Sequence, residues 1–179
     1  MMPELAIRAG VDADLDRLLV LNNAAVPAVN ELGRSDLERF MRIASYFRVA
    51  VMQDRPVGLM VALAPGLDYG SLNYRWFEER YDGFLYIDRI VVDPSVRSAG
   101  IGAALYRNLE QVALDAGTPR LACEVNLRPS NERSLSFHER LGFRGVGTQD
   151  TENGAKTVQL MVWELKRRPG SRFQPTACR

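Results

Sequence analysis

IVVDPSVRSAGIGAAL, residues 90–105, is the stretch on which the fold turns. Ile90, Val91 and Val92 close a run of β-formers, FLYIDRIVV (84–92), and Asp93-Pro94 stops it. A short turn carrying Arg97 follows, and then Gly100 and Gly102 open GIGAALYRNLEQVALDAG (100–117), which is apolar at helical spacing and ends on Gly117. A buried strand therefore runs through a glycine-bearing turn into a long helix. The first turn of such a helix offers unpaired N–H donors and the positive end of the helix dipole. The two glycines keep side chains out of the way, and Arg97 adds a fixed positive charge, an arrangement that suits a diphosphate. The spacing is neither Gly-x-Gly-x-x-Gly nor Gly-x-x-x-x-Gly-Lys-Ser/Thr, and on spacing alone a tight turn without a ligand fits as well.

Working outward, LACEVN (121–126) predicts a second strand, Asn131 to Leu141 a helix ended by Gly142, and VQLMVWEL (158–165) a final strand. Upstream, ELAIR (4–8) predicts an opening strand. Asp12 is placed to cap a helix carrying Leu15, Leu18, Leu19 and Asn22, and Ser35 with Glu38 forms the pattern of a capping box. Pro27 breaks the segment between those two helices. YFRVAVMQ (46–53) and PVGLMVAL (56–63) read as a hairpin turning at Asp54-Arg55. GLDYGSLNYRWFEERYD (66–82) is too polar for a core and too aromatic for an idle loop. Strand and helix alternate in the second half, so the expected fold class is α/β, a sheet with crossover connections. Residues 1–168 are expected to form one domain, followed by a basic, mobile tail at 169–179.

A chain of 179 residues with 46% hydrophobic content can bury one full core. The net charge of +1 gives no field for nucleic acid, so none is expected as a partner. No apolar run reaches membrane-spanning length and no signal-peptide pattern opens the chain, so the expectation is a cytoplasmic protein without membrane contact. A single histidine and two scattered cysteines make a metal site unexpected.

The segment Arg97-Ser98-Ala99-Gly100-Ile101-Gly102 resembles the Gln/Arg-x-x-Gly-x-Gly/Ala signature of the GNAT superfamily of N-acetyltransferases, with the family's Val-Asp-Pro before it. Asn131 through Phe143 (NERSLSFHERLGF) resembles a second family segment about one βαβ unit later. The likeness covers residues 84–165 well and 1–83 only in strand order. It implies a GNAT-like α/β fold, a mixed sheet whose central strands splay after residue 92, and a transfer of acetyl from acetyl-CoA to a primary amine by direct attack in a ternary complex. By position it implies that Ile90, Val91 and Val92 meet the pantetheine, that Arg97, Ser98, Ala99, Gly100, Ile101, Gly102 and Ala103 hold the pyrophosphate, and that Asn131 and Ser134 lie near the pantetheine arm. A homodimer is compatible with the family. A non-catalytic acyl-CoA sensor and an interaction module are the alternatives.

Many relatives carry Tyr as the acid that protonates the leaving thiolate, and here that position is His138. Imidazole, with an ordinary pKa of about 6.5, is able to donate, or merely to contact the cofactor. Asp88, inside the strongest apolar strand, is the leading base. Strand alternation puts it on one face with Tyr86, Ile90 and Val92, and an ion pair with Arg89 or Arg97 is the competing role. Glu124 is a weaker rival, expected to face solvent. Cys123 reads as a small apolar residue. The acceptor, a small-molecule or peptide amine, is expected to meet Asn22 and Asn23 from the first helix and Tyr69, Tyr74 and Trp76 from the aromatic segment. Capping by the asparagines and packing by Trp76 are the alternatives.

Overall fold

Seven strands make one mixed sheet in a computed structural model that describes residues 4–96 and 99–166. Arg97, Ser98 and the 169–179 tail lie outside the described residues. The strands are β1 (Leu5–Ala9), β2 (Tyr46–Met52), β3 (Arg55–Leu63), β4 (Leu85–Val92), β5 (Arg120–Arg128), β6 (Arg144–Thr151) and β7 (Lys156–Glu164), in the spatial order β1-β2-β3-β4-β5-β7-β6. Every neighbouring pair is antiparallel except β4–β5. The five α-helices are α1 (Leu15–Asn23), α2 (Arg34–Ile43), α3 (Leu72–Glu78), α4 (Ile101–Asp115) and α5 (Glu132–Leu141).

The helices cover both faces of the sheet. On one side Leu15 and Leu18 of α1, Leu37 and Phe40 of α2 and Tyr74 and Phe77 of α3 pack on Leu59, Val61, Tyr86 and Ala122. On the other, Ile101, Leu105 and Leu109 of α4, with Leu135 and Phe137 of α5, pack on Met60, Ala62, Ile87 and Cys123. The crossover from β4 through α4 to β5 is the βαβ unit that the glycine-bearing turn implied.

Local signals differ in detail from the sequence expectation. Asp14, rather than Asp12, closes the start of α1, its carboxylate accepting from Val11 N at 2.9 Å while held by Arg8. Gly33 precedes α2 and its N–H donates to Asp36 at 2.8 Å, so Ser35 is not the cap. Gln53 and Asp54, both with positive φ, form the β2–β3 turn. Strand β6 was not expected: Arg144–Thr151 holds two glycines and lies at the sheet edge, where half of its surface needs no apolar residue. Among the described residues, no helix is long and apolar enough to cross a membrane.

The parting of β4 from β5 corrects the expected register. The two strands pair only at Leu85↔Leu121 and Tyr86↔Ala122, so they separate after Tyr86, not after residue 92. Gly142 ends α5 with φ of +114°, and a Cβ there would lie 3.0 Å from the Trp163 indole nitrogen. Gly142→Ala is expected to lower stability by about 1–3 kcal/mol, from left-handed strain and the clash combined, as read from urea unfolding midpoints.

Candidate active site

One unmatched residue in β4 sets which side chains meet. Val61 pairs with Arg89 and Ala62 with Ile87, leaving Asp88 as a bulge. A bulge inserts a residue and offsets the alternation of side chains. Asp88 and Arg89 therefore both turn to the α1–α2–α3 face along with Tyr86 and Val91, whereas Ile90 and Val92 pack on the α4–α5 face. The expected grouping of Asp88 with Ile90 and Val92 fails because strict alternation does not survive the bulge.

Across the gap, Glu124 of β5 reaches the same face. Its Oε1 accepts from the Tyr86 hydroxyl at 2.9 Å, and its enclosed Oε2 has no hydrogen-bond partner among the described residues, although the Asn73 amide lies nearby. Burial, joined by the negative charge of Asp88, pushes the carboxyl up to about 7. Burial also raises the Tyr86 phenol, which stays a donor. Glu124 is thus no solvent-facing strand residue. Its sequence signal, a carboxylate in an apolar strand, was the same as that of Asp88.

Asp88 is differently placed. Its Oδ2 accepts from Arg89 Nε at 2.8 Å and its Oδ1 from the Tyr69 hydroxyl, and both members of the ion pair have side chains 6% exposed. Arg89 Nη1 donates to Asn22 Oδ1 at 2.8 Å, and its guanidinium lies 4.9 Å from the Phe40 ring centroid. Both oxygens of Asp88 are therefore engaged, and the competing ion-pair role is the one its geometry supports.

Asn22 and Asn23 are likewise engaged inside the protein. Asn22 Nδ2 donates to Asn30 O at 3.0 Å, and Asn23 exchanges hydrogen bonds of 3.0 Å with the backbone of Leu32. They fasten the 24–33 segment over the sheet rather than presenting amides to a ligand. Beside this segment an open cleft of about 280 Å³ runs past Val29, Asn30, Pro129, Glu152 and Lys156.

The aromatic segment divides. Tyr69 joins the polar cluster through Asp88. Tyr74 is fully buried, its hydroxyl donating to Ala64 O at 2.7 Å and accepting from Leu67 N at 3.0 Å. Trp76 packs against Gly147 of β6 with Arg80 stacked 4.3 Å from its ring centroid. Helix α3 turns Tyr74 onto the sheet, and Trp76, half-buried, packs on β6.

His138 sits inside the protein. It is 4% exposed among Tyr106, Phe137 and Phe143. Its Nδ1 lies 2.7 Å from Ser134 O, an acceptor only, so Nδ1 carries the proton. Nε2 then accepts from the Tyr106 hydroxyl at 2.7 Å. Burial lowers its pKa, which keeps the ring neutral. A neutral ring with both nitrogens engaged has no N–H free for a departing sulfur. Cys123 is buried as expected, and burial raises its thiol.

On the α4–α5 side, backbone groups of Ile87 to Val92 that point toward β5 have lost their strand partner. Ala99 leads into Gly100, which caps α4 in the left-handed conformation, φ +74°, and opens onto free space, so the turn presents the first N–H groups of α4. Ile101 faces inward, 2% exposed, while Ala103 is half-buried. Gly102 serves packing instead: a Cβ there would lie 3.2 Å from the Phe137 ring of α5. Asn131 caps α5 by accepting from Ser134 N at 3.2 Å. The open strand edge and the left-handed turn fit an extended ligand ending in a diphosphate.

Comparison with known proteins gives a consistent picture. The profile described as the Acetyltransferase (GNAT) family matches residues 21–143. The chain is 42% identical over 59 residues to a glucosamine 6-phosphate N-acetyltransferase of Trypanosoma brucei brucei, which is 33% of this chain and 37% of that protein. It is 25% identical over 154 residues to the peptidyl-lysine N-acetyltransferase YjaB of Salmonella typhimurium (strain LT2), 86% of this chain and 83% of that protein. The chain thus spans well under half the length of the first relative. The structure of yncA from Salmonella typhimurium with its cofactor acetyl-CoA superposes with a TM-score of 0.69 at 17% identity, covering 98% of this chain and 99% of that one. At that identity the likeness shows the fold.

Folding raises the Glu124 carboxyl from 4.5 to about 7, so the folded state favours the protonated form. Its contribution is full below the ordinary carboxylate range and is lost as pH rises through about 7. Glu124→Gln is therefore expected to be more stable than the parent at pH 8, by up to about 3 kcal/mol, and equal to it near pH 4. Denaturant titrations at the two pH values check this.

Proposed function

The chain belongs to the Acetyltransferase (GNAT) family, and from that premise we propose that it moves acetyl from acetyl-CoA to a primary amine, with Glu124 receiving the amine's proton. The observation that carries the assignment is the unpartnered Oε2 of Glu124, enclosed beside the gap where β4 leaves β5. Acetyl-CoA, when bound, supplies the activated acyl group as a thioester.

A primary alkylamine has a pKa of roughly 10, so at neutral pH it arrives as an ammonium and must lose a proton to become a nucleophile. Glu124, raised to about 7, is partly ionised at that pH and strong enough as a base to collect the proton. Tyr86 holds Oε1 and leaves Oε2 for the amine. The unpaired edge of β4 from Ile87 to Val92, including Val91 and Val92, would hold the pantetheine, and an N–H on that edge would steady the acetyl oxygen. The turn at Gly100 and the start of α4 would take the pyrophosphate, with Arg97 and Ser98 assigned there by sequence alone. No residue of the chain needs to be acylated: Cys123 is buried and protonated. Asn30, whose carbonyl accepts from Asn22, borders the cleft of about 280 Å³, which we take as the place for the rest of the acceptor.

Incubating the chain with acetyl-CoA and a panel of primary amines should release free thiol in an amine-dependent way. The rate should rise with pH through about 7, the range in which Glu124 ionises. Glu124→Gln should lower kcat by roughly 10²-fold, abolish that rise and leave the KM for acetyl-CoA nearly unchanged. A variant profile that superimposes on the parent's would remove Glu124 from the chemistry, and binding of acetyl-CoA without thiol release from any amine would favour a sensor.

A further inference from the structure

The β4 bulge turns an acid and a base of the protein's own, Asp88 and Arg89, onto the face where Glu124 lies. Among the described residues Arg89 is the one buried arginine or lysine. A buried guanidinium beside a reacting amine is what a site for free amino acids needs, because it can take the substrate's carboxylate in a fork of two hydrogen bonds. Here two of its three nitrogens are already engaged inside the protein. Arg89 Nε is bound to Asp88 at 2.8 Å, Nη1 is bound to Asn22 at 2.8 Å, and Phe40 lies against the guanidinium. Tyr69 holds the other oxygen of Asp88, so the pair is fixed from both ends.

Asp88 cancels the charge of Arg89, and Glu124 adds a negative charge whenever it is ionised and ready to act. A carboxylate on the carbon that bears the amine would be brought against Asp88 and Glu124, where the one buried cation among the described residues, Arg89, is already paired with Asp88. Like charges juxtaposed in a partly enclosed site are strongly unfavourable, and exclusion by repulsion is a common source of specificity. Given an acetyltransferase whose base is Glu124, on which the inference rests, we propose that the site selects primary amines that carry no carboxylate on the amine-bearing carbon, and that Asp88 is the specificity-determining residue because it occupies the arginine such a carboxylate would use. The acceptor class is then alkylamines, amino-sugar amines, lysine side chains and peptide N-termini, with free α-amino acids excluded.

The test uses amines that differ from an amino acid by the one carboxylate: ethylamine against alanine, 2-phenylethylamine against phenylalanine, and agmatine against arginine. With the unmodified protein, kcat/KM should favour the carboxylate-free member of each accepted pair by at least about tenfold. In Asp88→Asn, Arg89 keeps its charge with no acid to cancel it, and the preference should shrink toward unity or reverse. Equal or greater kcat/KM for the amino acids with the unmodified protein overturns the proposal, whether or not the variant folds. Should no amine be turned over, the acetyltransferase assignment fails on its own account. The same pairs, compared by ligand-observed NMR for binding to the protein, then decide the question: weaker binding of the amino acids supports the carboxylate exclusion, and equal binding ends it.

Discussion

The separation of β4 from β5 after Tyr86 is the constraint on which the rest of the site depends. Inside a sheet each strand satisfies its backbone groups on two neighbours. From Ile87 to Val92, β4 keeps β3 on one side and has no strand on the other. Backbone donors and acceptors left open in this way must find partners, and a ligand with amides of its own can supply them. The antiparallel β5–β7 pairing runs from Arg120 to Arg128, with one irregularity after Asn126, so β5 stays paired on that side while β4 diverges from it. The gap is thus held open by two well-paired half-sheets, and needs no mobile element to form it.

The polar cluster on the α1–α2–α3 face has a closed half and an open half. Arg89, Asp88, Tyr69 and Asn22 satisfy one another, which is the condition under which burying charge is tolerable. That half ties β4 to α1 and, through Asn22 and Asn30, to the segment over the cleft. Glu124 forms the open half. It is buried with one oxygen bound and one oxygen waiting, at a cost in stability that a purely structural carboxylate would not carry. Closed interactions set the shape of the site, and the unsatisfied one is available for chemistry.

On the opposite face, His138 and Gly102 serve packing. His138 bonds Ser134 in its own helix and Tyr106 in α4, so it locks the two helices that flank the open strand edge. Gly102 lets the Phe137 ring close against the first turn of α4. Together they fix where the N-terminus of α4 points, and therefore where a diphosphate would be held.

By itself the sequence determined the α/β class and the strand–turn–helix at residues 84–117, because these rest on local signals: β-branched runs, glycine at helix ends and helical spacing. Gly117 and Gly142 take the positive φ that their places at helix ends implied, and Gly100 takes it as well. The choice between two acids in two apolar strands was not local. Asp88 and Glu124 look alike in sequence, and only the fold gives one of them Arg89 and Tyr69 and leaves the other an open oxygen. The bulge at Asp88 depends on how β3 and β4 register across the sheet, and no residue in β4 announces it. The resemblance implied an acid position at His138, yet what its nitrogens touch depends on how α4 lies against α5. Chain connectivity set which residues were near one another along each element, and tertiary packing decided which charges were paired, because pairing across elements is a property of distance in space and not along the chain.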